Sequence, residues 1–462
     1  MAPLRPQELA ERALSLATCD ACIAVATHAT AANIRWANST LSSDGDVSTT
    51  HLTVVAVHEG VSGSAIGVIS CNGARRADVE HLVRRAEAVA RAGAPAGDAE
   101  PLLGDRPASP NWDDPLPETS LRTFEPLVPR LADALRSMRS EGLRLSGFAS
   151  HAVESTFLAT STGLRLRHDD AWGSIEATAA PADRACSVWT ATTTRDFAHV
   201  DVGELEAALR RRLEWARRRV ELPAGRYETL LPPAAVSDLM AYLYASAGAR
   251  GALDGRTVFS DGDGGTRVGE RLSAAPLTLR SDPGDRRLEC RDFVASCESS
   301  ETMSVFDNGL PLRPTSWIES GTLRALVQTR GTAGASALAT TPWIGNLILE
   351  GTQGERTLDE MIAATDEGLL LTCLWYMREV DSRRLVLTGV TRDGTFLVRN
   401  GEVVAAVNNF RYNESPVELL GRVVESGRVE PTIGREWGQY VRTAMAPLRV
   451  DGFNMSSVSD AV

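Results

Sequence analysis

Lysine is absent from the 462 residues, so all 48 basic side chains are arginine. Without a side-chain amine there is no Schiff-base chemistry, no Walker-type phosphate loop and no S-x-x-K nucleophile. Histidine stops early: His28, His51, His58, His81, His151, His168 and His199 all fall in the first half. No run approaches the ~20 apolar residues that cross a bilayer, and the start, Met1 to Ala13, is too charged for a secretory signal. The cytoplasm is the expected compartment. A net charge of −12 argues against a nucleic-acid or anionic-membrane surface. With 43% hydrophobic and 23% charged residues the composition is that of an ordinary globular protein, long enough for two or three domains.

The most informative stretch is Trp343 to Tyr412. Trp343 to Leu349 is an apolar run fit for a buried strand, ended by Gly351 to Gly354. Thr357 precedes Leu358, Asp359 and Glu360, an N-cap with acids in the first helical turn and Met361 and Ile362 on the buried side. Gly368 stops that helix, and Leu369 to Trp375 makes a second strand. Arg392-Asp393-Gly394 and Asn400-Gly401 are expected hairpin turns, because glycine accepts the positive φ such turns demand.

Before this stretch, a helix is expected from Pro6 to Ala17, then strands at Ala21 to Thr27, Asn33 to Ser39, His51 to Val57 and Ser64 to Cys71. A second helix, Ala77 to Ala92, turns Val79, Leu82, Val83, Ala86 and Val89 inward. Gly93 to Glu118 is a long connection. A helix from Pro129 to Ser140, strands at 142–160, 163–180 and 185–194, and an arginine-rich helix from Val200 to Val220 follow. Pro223-Ala224-Gly225 breaks the chain. A strand at Tyr227 to Leu231, a helix from Ala234 to Ala247 and a glycine- and aspartate-rich loop at Gly248 to Gly265 open the second half. The expected fold class is α+β in two domains: residues 1–222 with helices on an antiparallel sheet, and residues 223–462 mostly β with a few helices.

The phrases G-N-L-x-L-E-x-G from Gly345, T-L-D-E from Thr357, D-E-G-L-L-x-T-x-L-W from Asp366 and V-R-N-G-E-V from Val398, in this order, resemble the C-terminal domain of the TldD/PmbA family. The layout of the first half is similar to that family's N-terminal domain. The resemblance implies one half of a bacterial heterodimeric metallopeptidase that hydrolyses unfolded or leader-type peptides, including the maturation of peptide products, in a family also linked to relief of gyrase poisoning. In the active half a strand feeds a helix bearing H-E-x-x-x-H. Its two histidines bind zinc, its glutamate activates water, and a late cysteine in a glycine-rich phrase completes the site. Laid on this chain, Thr229 to Pro233 matches the incoming strand, and the motif positions fall on Ala241, Tyr242 and Ser246. A methyl, a phenol and a hydroxyl supply neither good zinc ligands nor a carboxylate base. Pro431 to Arg442 has no cysteine. The resemblance therefore implies the PmbA (TldE) type of subunit: no catalytic, cofactor or metal residue here, zinc in a TldD-type partner, and a peptide substrate bound by strand addition in a shared cavity.

Other constellations are weaker. His58-Glu59 begins like a zincin motif, but no histidine stands at 62 or 63. Cys19-Asp20-Ala21-Cys22 has no second pair, and Cys71, Cys186, Cys290, Cys297 and Cys373 are scattered; two small buried residues at a strand start is the first reading, with metal or redox chemistry as alternatives. Asp261, Asp263 and Gly265 hint at a calcium loop, but Leu272 occupies the place of its closing glutamate. Arginines from Arg210 to Arg219 offer a phosphate-binding face, but Glu204, Glu206 and Glu214 share their helix, so a solvated face braced by i,i+4 pairs is the first reading. Two rival functions stay open: a diverged enzyme using Cys290, Cys297 or Cys373 with first-half histidines, and a stand-alone peptide-binding homodimer.

Overall fold

The computed structural model describes residues 4–460 except 105, 263, 337, 353, 439 and 440. The fold is α+β. Its first sheet is antiparallel, in the order β3-β2-β1-β4-β5-β6, built from β1 (Ala21–Ala37), β2 (Thr40–Gly60), β3 (Gly63–Asn72), β4 (Leu143–Thr160), β5 (Arg165–Pro181) and β6 (Val188–Thr194). Because side chains alternate along a strand, β1 serves two cores. Cys22, Ala24 and Ala26 face helices α1 (Pro6–Leu16) and α2 (Asp78–Ala92). Ile23 and Val25 face Phe293, Val305 and Phe306 of the second half. Helices α3 (Val128–Ser140) and α4 (Val202–Trp215) cover the other end of the sheet.

β7 (Arg219–Val220) leads into the second half, which opens with β8 (Gly225–Leu231), α5 (Pro233–Ala245) and α6 (Ala249–Leu253). It continues through β9 (Leu277–Ser281), β10 (Thr315–Glu319), β11 (Thr322–Leu323), α7 (Arg330–Ser336), β12 (Asn346–Gly351), α8 (Leu358–Ala363), β13 (Glu367–Leu371) and β14 (Leu374–Asp381). Last come β15 (Val386–Thr391), β16 (Thr395–Arg399), β17 (Glu402–Val407), β18 (Asn409–Glu414), α9 (Pro416–Leu420), β19 (Val423–Ser426), β20 (Glu430–Thr432), β21 (Arg442–Met445) and β22 (Leu448–Ser459). Six strands form a mixed sheet, β11-β10-β9-β12-β21-β20. Ten form another, β14-β15-β18-β22-β8-β13-β16-β17-β7, with β19 beside β22. One core belongs to both halves: Phe124, Leu131, Val188 and Leu209 pack with Leu230, Met361, Leu370, Phe396 and Val398.

Several elements differ from the sequence expectation, each for a visible reason. The four short strands of the first half are three long ones. β4 pairs with β1 from Ile23↔Thr160 to Trp36↔Gly147, so a long neighbour holds the polar middle of β1 extended. The chain reverses at Asn38 and Ser39, both at positive φ (49° and 60°). Val89 is 46% exposed rather than buried. Helix α2 sits directly on Gly67, where a Cβ would lie 2.0 Å from the Ala86 carbonyl, and this contact turns the 86/90 ridge inward and Val89 out. The arginine-rich helix ends at Trp215, and Arg219–Val220 is instead a strand parallel to β17. Gly248 to Gly265 contains the short α6. Gly368 lies inside β13 instead of ending a helix, and Leu369 to Trp375 divides between β13 and β14. Asn400-Gly401 is the hairpin turn between β16 and β17. Arg392 to Gly394 is not a hairpin: β15 and β16 do not pair, and Thr372 binds the Asp393 and Gly394 carbonyls as the chain crosses the sheet. Gly394 is required there, since a Cβ would stand 2.0 Å from the Thr372 hydroxyl.

Candidate functional site

Helix α5 is apolar on almost every side and therefore runs through the core. It follows β8, which lies between β22 and β13, and Pro233 suits its first turn. Each of the three positions that the resemblance singled out has a structural occupation. Ala241 is 2% exposed within the main core. Tyr242 donates its hydroxyl to the Met377 carbonyl at 3.2 Å and packs edge-on against Trp437, ring centroids 4.5 Å apart. Burial raises its phenol above the usual range, which keeps it protonated. Ser246 caps the helix and donates its hydroxyl back to the Tyr242 carbonyl at 3.0 Å. These donors do not fit a zinc ion: one has no lone pair and two have hydroxyl protons committed to carbonyls. Among the described residues no group of three His, Cys, Asp or Glu side chains is placed to hold a metal.

The loop after β20 folds back onto α5, and one carboxylate holds it. Asp238, fully buried, accepts backbone N–H bonds from Arg435 (2.9 Å), Glu436 (3.0 Å) and Trp437 (2.9 Å). Gly434 permits the approach, because a Cβ there would lie 2.4 Å from the Asp238 oxygen. Burial pushes the Asp238 carboxyl up to about 7, against the pull of the three N–H donors. Sequence reasoning missed Asp238. The signal was present, since it is the single charged residue between Glu228 and Arg250.

The same loop ties the halves together through Arg435. Its guanidinium lies over the rings of Trp375 (4.2 Å) and Trp189 (5.4 Å) and pairs with Glu176 on β5. Glu176 also accepts from the Trp189 indole at 3.2 Å. On its other side the loop borders a cleft of about 650 Å³ between β4 and β5 and the second half, lined there by Ile433, Gly438, Val441 and Arg442. Trp343 forms part of the wall and stacks on Tyr244 of α5 at 3.9 Å.

The remaining candidate residues are dispersed. Cys290 and His151 line the cleft, but both ring nitrogens of His151 are taken, by Thr119 (2.7 Å) and the Arg195 carbonyl (2.6 Å). Burial pushes the Cys290 thiol up to about 11, raises Cys297, and holds Cys373 well above the usual thiol range. Cys19 and Cys22 sit against the helix-covered core of the first sheet, where a hydrogen bond from Cys22 pulls the Cys19 thiol down to about 7. His58 pairs with Asp20 at 3.1 Å beside the β2–β3 turn. Arg210 and Glu206 form the expected i,i+4 pair. Asp263, the second acid of the calcium-like loop, lies outside the described residues.

Residues 224–457 match the family model described as PmbA/TldA metallopeptidase C-terminal domain, so the scaffold is of a peptidase-related class. The chain belongs to the PmbA/TldD family. No curated protein matches it by sequence. Among solved structures it is similar to TldE from Thermococcus kodakarensis, with a TM-score of 0.78 at 16% identity over 97% of this chain and 99% of that one. A protein described as a modulator of DNA gyrase from Thermotoga maritima gives 0.76 at 16% identity, covering 97% and 99%. One so described from Bacteroides thetaiotaomicron gives 0.74 at 15%, covering 98% of each chain. At such identities the likeness carries the fold.

Proposed function

We propose that this chain is the non-catalytic, PmbA/TldE-like subunit of a TldD/TldE-type heterodimeric zinc metallopeptidase. The observation that supports this reading is the structural use of Ala241, Tyr242 and Ser246, the three positions where the family's active half keeps its metal chemistry. The subunit forms part of the wall of a peptide-holding cavity and stabilises its partner, which carries the zinc. The complex cleaves unfolded or leader-type peptides in the cytoplasm, and maturation of a peptide product is one such use. The test is to purify the chain with and without a TldD-type subunit that has an intact H-E-x-x-x-H and late cysteine. Co-purification, peptide hydrolysis in the mixture alone, and no stoichiometric zinc on the single chain are expected. A single chain that holds one equivalent of zinc and cleaves a test peptide overturns the reading.

A further inference from the structure

Charge in the cleft beyond the late loop is compensated except at two places. Asp170 pairs with Arg442, and Asp307 with Arg330. Arg291, half-buried in the wall, has no such partner: among the described residues no carboxylate stands within 4.0 Å of its guanidinium. Its Nε–H donates to the Phe293 carbonyl at 3.0 Å and its Nη2 to the Ala295 carbonyl at 3.3 Å. Those bonds fix the side chain, and the carbonyls neutralise none of its charge. Of the five N–H donors on a guanidinium, further ones stay available. Burial draws Arg291 below the usual arginine range, and Glu154 counters this only from a distance. Glu154, exposed on the β4 wall, accepts from the Thr156 hydroxyl at 3.3 Å and makes no close ion pair among the described residues.

A cation held in place, partly out of water and without a counter-charge, gains from a ligand that brings one. Arginine does so best with a flat two-oxygen acceptor, which it meets with two parallel bonds. The volume of about 650 Å³ lies in the range of ligand sites, and the apolar rings of Trp172, Phe293 and Trp343 line the same walls. We propose that Arg291 anchors a carboxylate of a peptide lying in this cleft, either its C-terminal group or an acidic side chain. Glu154 then provides a negative pole for an N–H or amino group elsewhere on the peptide. That the ligand is a peptide rests on the function proposed above; the carboxylate anchor rests on the cleft itself.

The full-length chain, alone, is titrated calorimetrically with acetyl-tetraalanine as the free acid, with its C-terminal amide, and with an amidated analogue carrying one central glutamate. The free acid or the glutamate peptide binds about tenfold or more tightly than the plain amide, and whichever does so identifies the source of the carboxylate. Arg291→Leu abolishes the preference. Ala152→Phe, a change at an exposed position on the facing wall, weakens the preferred peptide about tenfold and decides the matter if the Arg291 variant melts early. Equal binding of all three peptides, binding of none, or a preference that survives in both variants overturns the proposal. Failure to associate with a TldD-type subunit would sink the subunit reading and leave these titrations as they stand.

Discussion

The two sides of the 433–442 loop make an instructive contrast. Toward α5, the polar groups at the three positions and the clasp are engaged: Asp238 with three amides, Tyr242 with a carbonyl, Ser246 with its own helix. Toward the cleft, space remains, and Arg291 and Glu154 act on each other only at a distance, with no close ion pair among the described residues. The filled side behaves as architecture, while the open side keeps the properties of a binding surface. On the function proposed above, the scaffold has turned its reactive face into packing and kept its recognition face.

The sharpest way to break this contrast is to remove the clasp. Asp238→Ala leaves three amides without their acceptor and destabilises the protein by about 3–5 kcal/mol in urea unfolding. A loss under about 1 kcal/mol would show that the loop does not depend on that carboxylate. Next is Ala241→His, which forces an imidazole into a packed core. A loss of about 2–3 kcal/mol is expected, with no rise in melting temperature on adding zinc. Zinc-dependent rescue would mean that metal-binding capacity survives there.

The third effect is one of pH. Burial raises the folded Asp238 carboxyl to about 7, above its unfolded value near 3.8, so the folded state holds the extra proton. Its stabilising contribution is complete below about pH 4 and is lost as pH rises toward 7, on the order of 1 kcal/mol per unit. The gap in unfolding free energy between the wild type and Asp238→Asn should follow that slope between pH 5 and 7; a flat gap contradicts it. The smallest effect is that of Tyr242→Phe, which loses the hydroxyl's bonds and keeps the ring against Trp437. Denaturant midpoints should report a loss of about 0.5–1.5 kcal/mol.

Much of the fold was legible because its signals are local. Thr357 and Glu360 form the reciprocal cap that their spacing announces, and Asn400-Gly401 turns the chain as that dipeptide should. What escaped depends on distant partners. The length of β1 is set by β4, more than a hundred residues later, and the rotation of α2 by one glycine on β3. The crossing at Arg392 to Gly394 carries a turn signature, yet only Thr372 decides which strands it joins. At the site, Ala241, Tyr242 and Ser246 were singled out by the family resemblance, and their contacts emerge only in the fold. The lone acid Asp238 was visible, but the clasp it makes was not, because its amide partners lie almost two hundred residues away.

The hydrophobic interior common to both halves has a mechanical result. Trp215 of α4 meets Phe396 of β16 edge-on at 5.3 Å, and Arg219–Val220 is hydrogen-bonded into the large sheet before the second half has begun. A swing of the walls on either side of Arg291 would first have to part these contacts. For the peptide proposed above, girth and end-group then become the first criteria of selection, ahead of residue order.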